Sequence, residues 1–148
     1  MSDLLVEKNI TRESVRTQLV ARISCKDWAT LMDYLKEKGY RPGVLSRGYG
    51  GNAPSYPYLV TSNSPVHESG DEPLLIALEA QCPVMVGPDR VASANALIDE
   101  HQCDVLLSDD GLQHYCLSRQ WEICVLDAER LWGNGLCLPA GPLREAPN

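Results

Sequence analysis

The sequence predicts an α/β fold in which a mostly parallel sheet is flanked by helices. Pro83–Val86, Val105–Leu107 and Ile123–Leu126 are short, unbroken apolar runs, as in strands buried on both faces of a parallel sheet. Between them lie segments with apolar residues at helical spacing, such as Asp89–His101 with Val91, Ala94, Leu97 and Ile98. Strands alternating with helices through short connections indicate one α/β layer.

A chain of 148 residues suffices for one domain with a real core. Its 44% hydrophobic and 22% charged residues are those of a soluble globular protein. A net charge of −7 argues against a nucleic-acid-binding surface. It leaves room for a local basic cluster drawn from Arg41, Arg47, Arg90, Arg119, Arg130 and Arg144. The six cysteines are dispersed, with no C-x-x-C pair. They match neither a zinc site nor a secreted disulfide framework and fit a reducing cytosol. No apolar run approaches the roughly 18 residues of a membrane span, and no signal peptide precedes the first charges.

Taken in order, residues 1–25 read as a divergent segment that is helical. Val15, Leu19, Val20 and Ile23 recur at helical spacing, with Thr11 as a cap. A second helix is expected over Asp27–Lys38, its stripe of Trp28, Leu31, Met32 and Leu35 being core packing, and Gly39 ends it. Gly43–Arg47 reads as a strand running into Gly48-Tyr49-Gly50-Gly51. That loop is either a plain turn or one that brings backbone amides to a ligand, with Ser46 and Arg47 placed to meet an anion. Residues 52–69, with Pro54, Pro57 and Pro65, read as an exposed excursion containing one strand at Tyr58–Thr61.

Gly70-Asp71-Glu72-Pro73 leads into a helix over Leu74–Ala80, with the two carboxylates at its N-terminus. Asp71 is then either a helix cap or a general base or metal ligand. The apolar run Val105–Leu107 ends in Ser108-Asp109-Asp110-Gly111, followed by the polar Gln113-His114-Tyr115. Adjacent carboxylates repel each other unless a cation or donors offset them, and Mg²⁺ takes one or two carboxylates plus waters and phosphates. The alternative is a solvated turn after a strand. Ile123–Asp127 is another strand ending in an acid, and Trp132–Glu145 is an ordered loop or a linker.

The series GYRPGVLSRGYGG, GDEPLLIA, SDDGLQHY and EICVLD…GNG…LPAGPLRE resembles the tetraacyldisaccharide 4′-kinase family, the lipid A 4′-kinases of Gram-negative bacteria. The resemblance runs from about Gly39 to Glu145. It implies an α/β fold related to P-loop NTPases and transfer of the γ-phosphate of ATP to the 4′-hydroxyl of a lipid A disaccharide precursor. It also implies Mg²⁺ as cofactor and work at the cytoplasmic face of the inner membrane, as a peripheral protein. Carried over residue by residue, Asp71 resembles the catalytic acid that helps activate the sugar hydroxyl, with Glu72 supporting the metal. Asp109 and Asp110 resemble Walker-B-like carboxylates, with Gln113 near the metal and phosphates and His114 towards the substrate. Ser46, Arg47 and Tyr49 resemble the loop that meets the disaccharide, and Arg90 and Arg144 its basic contacts. Phosphoryl transfer needs positioning and charge neutralisation, which such residues supply.

The chain departs from that pattern where a membrane-anchoring helix, a G-x-x-x-x-G-K-S/T phosphate loop and a second lobe are expected. In place of the loop stands Arg22-Ile-Ser-Cys-Lys-Asp-Trp28, without glycine, and Lys26 falls near the position of the loop lysine. Residues 26–148 therefore read as a partial kinase domain. Two functions follow: an ATP-dependent lipid A 4′-kinase, incomplete and inactive as this chain alone, or a non-catalytic remnant that binds metal or ligand.

Overall fold

A computed structural model of the chain describes residues 17–21, 25–109, 117, 121–122 and 133–143. In chain order these form β1 (Thr17–Ala21), α1 (Cys25–Glu37), β2 (Pro42–Ser46), β3 (Tyr58–Val60), α2 (Val66–Ser69), α3 (Asp71–Ala80), β4 (Val84–Val86), α4 (Arg90–Asp99), β5 (Val105–Asp109) and β6 (Trp121–Glu122). The strands make one sheet in the order β3-β4-β2-β5-β1-β6. Every neighbouring pair is parallel except β3 with β4. The expected α/β architecture is therefore present, with one antiparallel strand at its edge.

The apolar runs become strands because both faces of the sheet are covered. Residues alternate along β2, β4 and β5 between two cores. Val44, Val84, Val86, Val105 and Leu107 pack with Trp28 and Met32 of α1 and Ile76 and Ala80 of α3. Leu45, Met85 and Leu106 face the other way, onto Ala94 and Leu97 of α4. Period-two alternation into two apolar layers is what a sheet between helices requires. The stripe of α1 is packing, as expected, with Trp28 and Met32 fully buried.

Two expectations give way. Thr17–Ala21 is a strand between β5 and β6, not part of a helix. Helical spacing in a short apolar stretch does not exclude a strand, and pairing with both neighbours decides it. The third helix begins at Asp71 rather than Leu74. Its acidic start is compatible with helix because the macrodipole favours carboxylates in the first turn. The strand expected at Ile123–Asp127 lies outside the described residues.

Candidate functional site

In open α/β sheets, ligands bind beyond the carboxyl ends of the strands. Here β2 ends at Ser46, β4 at Val86, and β5 at Asp109. Asp109 is paired in register with Ala21, the last residue of β1. The carboxyl end of β1 thus lies beside Asp109, and α1 begins at Cys25. A strand leading to a helix, next to a carboxylate-ended strand, is the order of elements used for nucleotide phosphates in P-loop folds. Lys26 is the second residue of α1.

The alternation that sends Val44 and Leu107 towards α1 and α3 puts Ser46 and Asp109 on that same face. Asp109 is 5% exposed. Ser46 is buried too, and its Oγ accepts from the Gly48 N–H at 3.4 Å, so it props the glycine loop from within. Arg47 and Tyr49 are exposed. With Gly48, Gly50, Gly51, Tyr56 and Pro88 they line an open cleft of about 290 Å³. Tyr56 was not among the expected site residues. It sits in the proline-rich excursion, where nothing in its spacing marks it, and its hydroxyl accepts from the Ala53 N–H at 3.1 Å.

The glycine loop is seated on the turn that starts α3. Gly51 donates to the Gly48 carbonyl at 2.9 Å, and Asn52 donates to the His67 carbonyl at 2.8 Å. A β-carbon on Gly51 would stand 2.5 Å from the Glu68 carbonyl oxygen, and one on Gly70 2.8 Å from that of Tyr49. Only glycine permits this backbone-on-backbone contact, and Gly70 at φ +83° also occupies the left-handed region. The contact puts Asp71, the next residue, beside the cleft wall.

Asp71 is exposed, and so is Glu72. The capping reading of Asp71 does not hold in its simple form. Gly70 is the N-cap and no side chain caps the helix. Asp71 is instead the first helical residue, its Oδ1 accepting from the Glu72 N–H at 2.9 Å.

Arg90, expected to be a basic substrate contact, is 4% exposed and comes from the opposite, α4 side. Its Nη2 donates to the Asp109 backbone carbonyl at 3.1 Å. Asp110, Gln113, His114 and Arg144 lie outside the described residues. Among the described residues no group of three or more His, Cys, Asp or Glu is arranged to hold a metal. No described helix is long and apolar enough to cross a membrane.

The sequence profile of tetraacyldisaccharide-1-P 4′-kinases matches residues 28–148. The tetraacyldisaccharide 4′-kinase of Hahella chejuensis is 55% identical over 115 residues, covering 78% of this chain and 34% of that protein. That of Nitrosococcus oceani is 56% identical over 115 residues, with the same coverage. That of Pseudoalteromonas atlantica is 55% identical over 116 residues, 38% of its length. The chain thus spans about a third of the length of these relatives. The crystal structure of the "apo" form of LpxK from Aquifex aeolicus in complex with ATP superposes with a TM-score of 0.70. It is 28% identical, and the match covers 89% of this chain and 44% of that one. By profile and by identity, the chain belongs to the tetraacyldisaccharide 4′-kinase family.

Proposed function

We propose that the chain forms the acceptor-facing and metal-facing part of a kinase that moves the γ-phosphoryl of ATP to the 4′-hydroxyl of a tetraacyl-disaccharide 1-phosphate in lipid A synthesis. The observation that carries this reading is Asp71: an exposed carboxylate at the start of α3, fixed against the glycine loop by the Gly51 and Gly70 contacts. In the transfer, the bond from the γ-phosphorus to the ADP oxygen breaks and one to the 4′-oxygen forms. Asp71 takes the hydroxyl proton, as a general base held at a fixed angle does. Arg47 and Tyr49 offer a cation and an aromatic face to a phosphorylated sugar, and Glu72 stands beside the base.

Mg²⁺ is the cofactor this site fits. Asp109 brings a buried, hard oxygen donor to the end of β5, and Mg²⁺ needs one or two carboxylates, the rest being waters and phosphate oxygens. Asp110 and Gln113 would complete the protein's share. When bound, the ion neutralises charge on the transferring phosphates. His114 and Arg144 are assigned to the lipid substrate. The acyl chains of that substrate favour work at a membrane surface, which we assign to the cytoplasmic face of the inner membrane, with this chain in peripheral contact.

The second reading, a non-catalytic remnant, is favoured by the β1–α1 junction. Only Arg22-Ile23-Ser24 separates the two elements. None is glycine, so close backbone approach to phosphate is disfavoured there. Two titrations of the chain separate the readings. Retention of tetraacyldisaccharide 1-phosphate in mixed micelles, lost in Arg47→Ala and Tyr49→Ala, is expected, and its absence would overturn the acceptor assignment. Calorimetry with Mg·ATP is expected to give no heat. Micromolar binding lost in Asp109→Asn would show that the junction replaces a phosphate loop, and would extend catalysis to this chain itself.

A further inference from the structure

We propose that Glu68 is a positioning residue that ties the glycine-loop wall of the cleft to the edge strand β3, its side chain holding the strand and its backbone the loop. The inference rests on the reading of that cleft as the acceptor site. α2 is four residues long, and its N-cap, Pro65, makes no side-chain cap bond. A single helical turn does not hold itself in water, so bonds from outside must place it. Glu68 receives one of them, as the Tyr58 hydroxyl of β3 donates to its Oε2 at 2.9 Å. The same hydroxyl lies 3.2 Å from Ser64 Oγ, which accepts from the Thr61 N–H at 2.9 Å. Tyr58 is itself held in the sheet, opposite Val86 of β4. The segment leaving β3 and the turn of α2 are thus gathered around one anchored phenol.

The backbone of α2 carries the loop. A β-carbon on Gly51 would stand 2.5 Å from the Glu68 carbonyl oxygen, and one on Gly48 3.3 Å from that of Ser69. Asn52 donates to the His67 carbonyl at 2.8 Å. Gly48 and Gly51 line the cleft together with Arg47 and Tyr49. A shift of α2 away from β3 therefore carries the loop along, and with it the cation and the ring offered to the acceptor. Glu68 itself does not line the cleft, so it acts through the loop and from behind it. A carboxylate suits the task because a charged acceptor makes a stronger bond to a hydroxyl than a neutral one. Its other oxygen, Oε1, stands 3.9 Å from Nε2 of the exposed His67, a solvent-screened pair that adds little.

Two readouts on the chain test this: amide hydrogen exchange at Asn52, and retention of tetraacyldisaccharide 1-phosphate in mixed micelles. Tyr58→Phe removes only the hydroxyl. It is expected to speed Asn52 exchange about fivefold or more, the scale of one net hydrogen bond, and to weaken retention by a similar factor. Glu68→Ala is expected to do the same, and to add nothing to Tyr58→Phe in the double variant. Glu68→Gln keeps an acceptor and is expected to stay within about twofold of wild type on both readouts. Lys36→Met, at the far end of α3, is the control: stability falls while Asn52 exchange and retention hold. Unchanged exchange in Tyr58→Phe and Glu68→Ala, or an equal rise in Lys36→Met, would overturn the tie. Faster exchange with full retention would overturn the positioning role and leave a structural contact. A wild type that retains no lipid would overturn the acceptor reading instead, while exchange alone decides whether Glu68 holds the loop.

Discussion

Gly51 faces the backbone of Gly70 so closely that a β-carbon on it would stand 2.7 Å from the Gly70 amide nitrogen. Two segments separated in sequence are thereby joined without any side chain: the loop that lines the cleft and the turn that starts α3. The carbonyl of Glu68 stands 2.5 Å from the same position, so neither neighbour is a flexible side-chain tip that moves cheaply. Gly51→Ala is expected to destabilise the fold by about 1–3 kcal/mol, the range for overpacking a tight contact. Urea denaturation reads that loss, and micelle retention is expected to fall with it as the loop lifts off. Unaltered stability would mean that the loop is not seated on this turn.

The far end of α3 is held by a charge. Lys36 of α1 donates from Nζ to the Ala80 carbonyl at 2.8 Å and to the Gln81 carbonyl at 3.1 Å. Those carbonyls close the helix and carry its negative end, where a cation is favoured. Lys36→Met keeps the apolar stem and removes both bonds. The expected loss is about 1 kcal/mol, held low because one of the two bonds is exposed. Chemical denaturation of this single variant checks it, and a loss that persists at high salt would point to packing instead.

Cys82 and Cys103 give the fold an alkaline limit. Burial pushes the Cys82 thiol from 9.0 up to about 12, against the lowering effect of Lys36. Burial, with Asp104 adding to it, pushes the Cys103 thiol to about 11. The folded state therefore holds these protons more tightly than the unfolded chain does. The stability they lend is fully present below pH 9 and is lost as pH rises through 11 to 12. Denaturation midpoints should fall over that window, and the fall should shrink in Cys82→Ala/Cys103→Ala. At pH 8 both thiols are expected to alkylate far more slowly than in urea, since the thiolate is the nucleophile.

What the sequence shows follows from how local each determinant is. β2, β4 and β5 were legible because a strand covered on both faces needs an unbroken apolar run, and Val105–Leu107 has one. The glycine loop and the carboxylate at the end of β5 were legible for the same reason, as departures from apolar patterning at a strand end. Thr17–Ala21 was not, since a five-residue stretch satisfies helical and strand spacing alike until β5 and β6 pair with it. The short α2 was missed inside the proline-rich excursion, where no periodicity announces four residues. Arg90 was the least legible. The resemblance makes it a basic contact to the substrate, and only the fold brings it, buried, to a carbonyl 19 residues away.

Arg90 depends in turn on the residue before it. Asp89 is the N-cap of α4, with φ −91° and ψ 101°, and its side chain takes two backbone N–H groups of the first turn. Asp89→Ala leaves those donors without that acceptor and should cost about 1 kcal/mol, while Asp89→Asn or Asp89→Ser keeps an acceptor and should cost a few tenths. If the cap also sets where Arg90 starts, Asp89→Ala should loosen the Arg90 contact to the Asp109 carbonyl, so that Asp89→Ala combined with Arg90→Met costs less than the sum of the two single losses. The double-mutant cycle separates the two roles, because a cap that serves only the helix would give additive losses in urea denaturation.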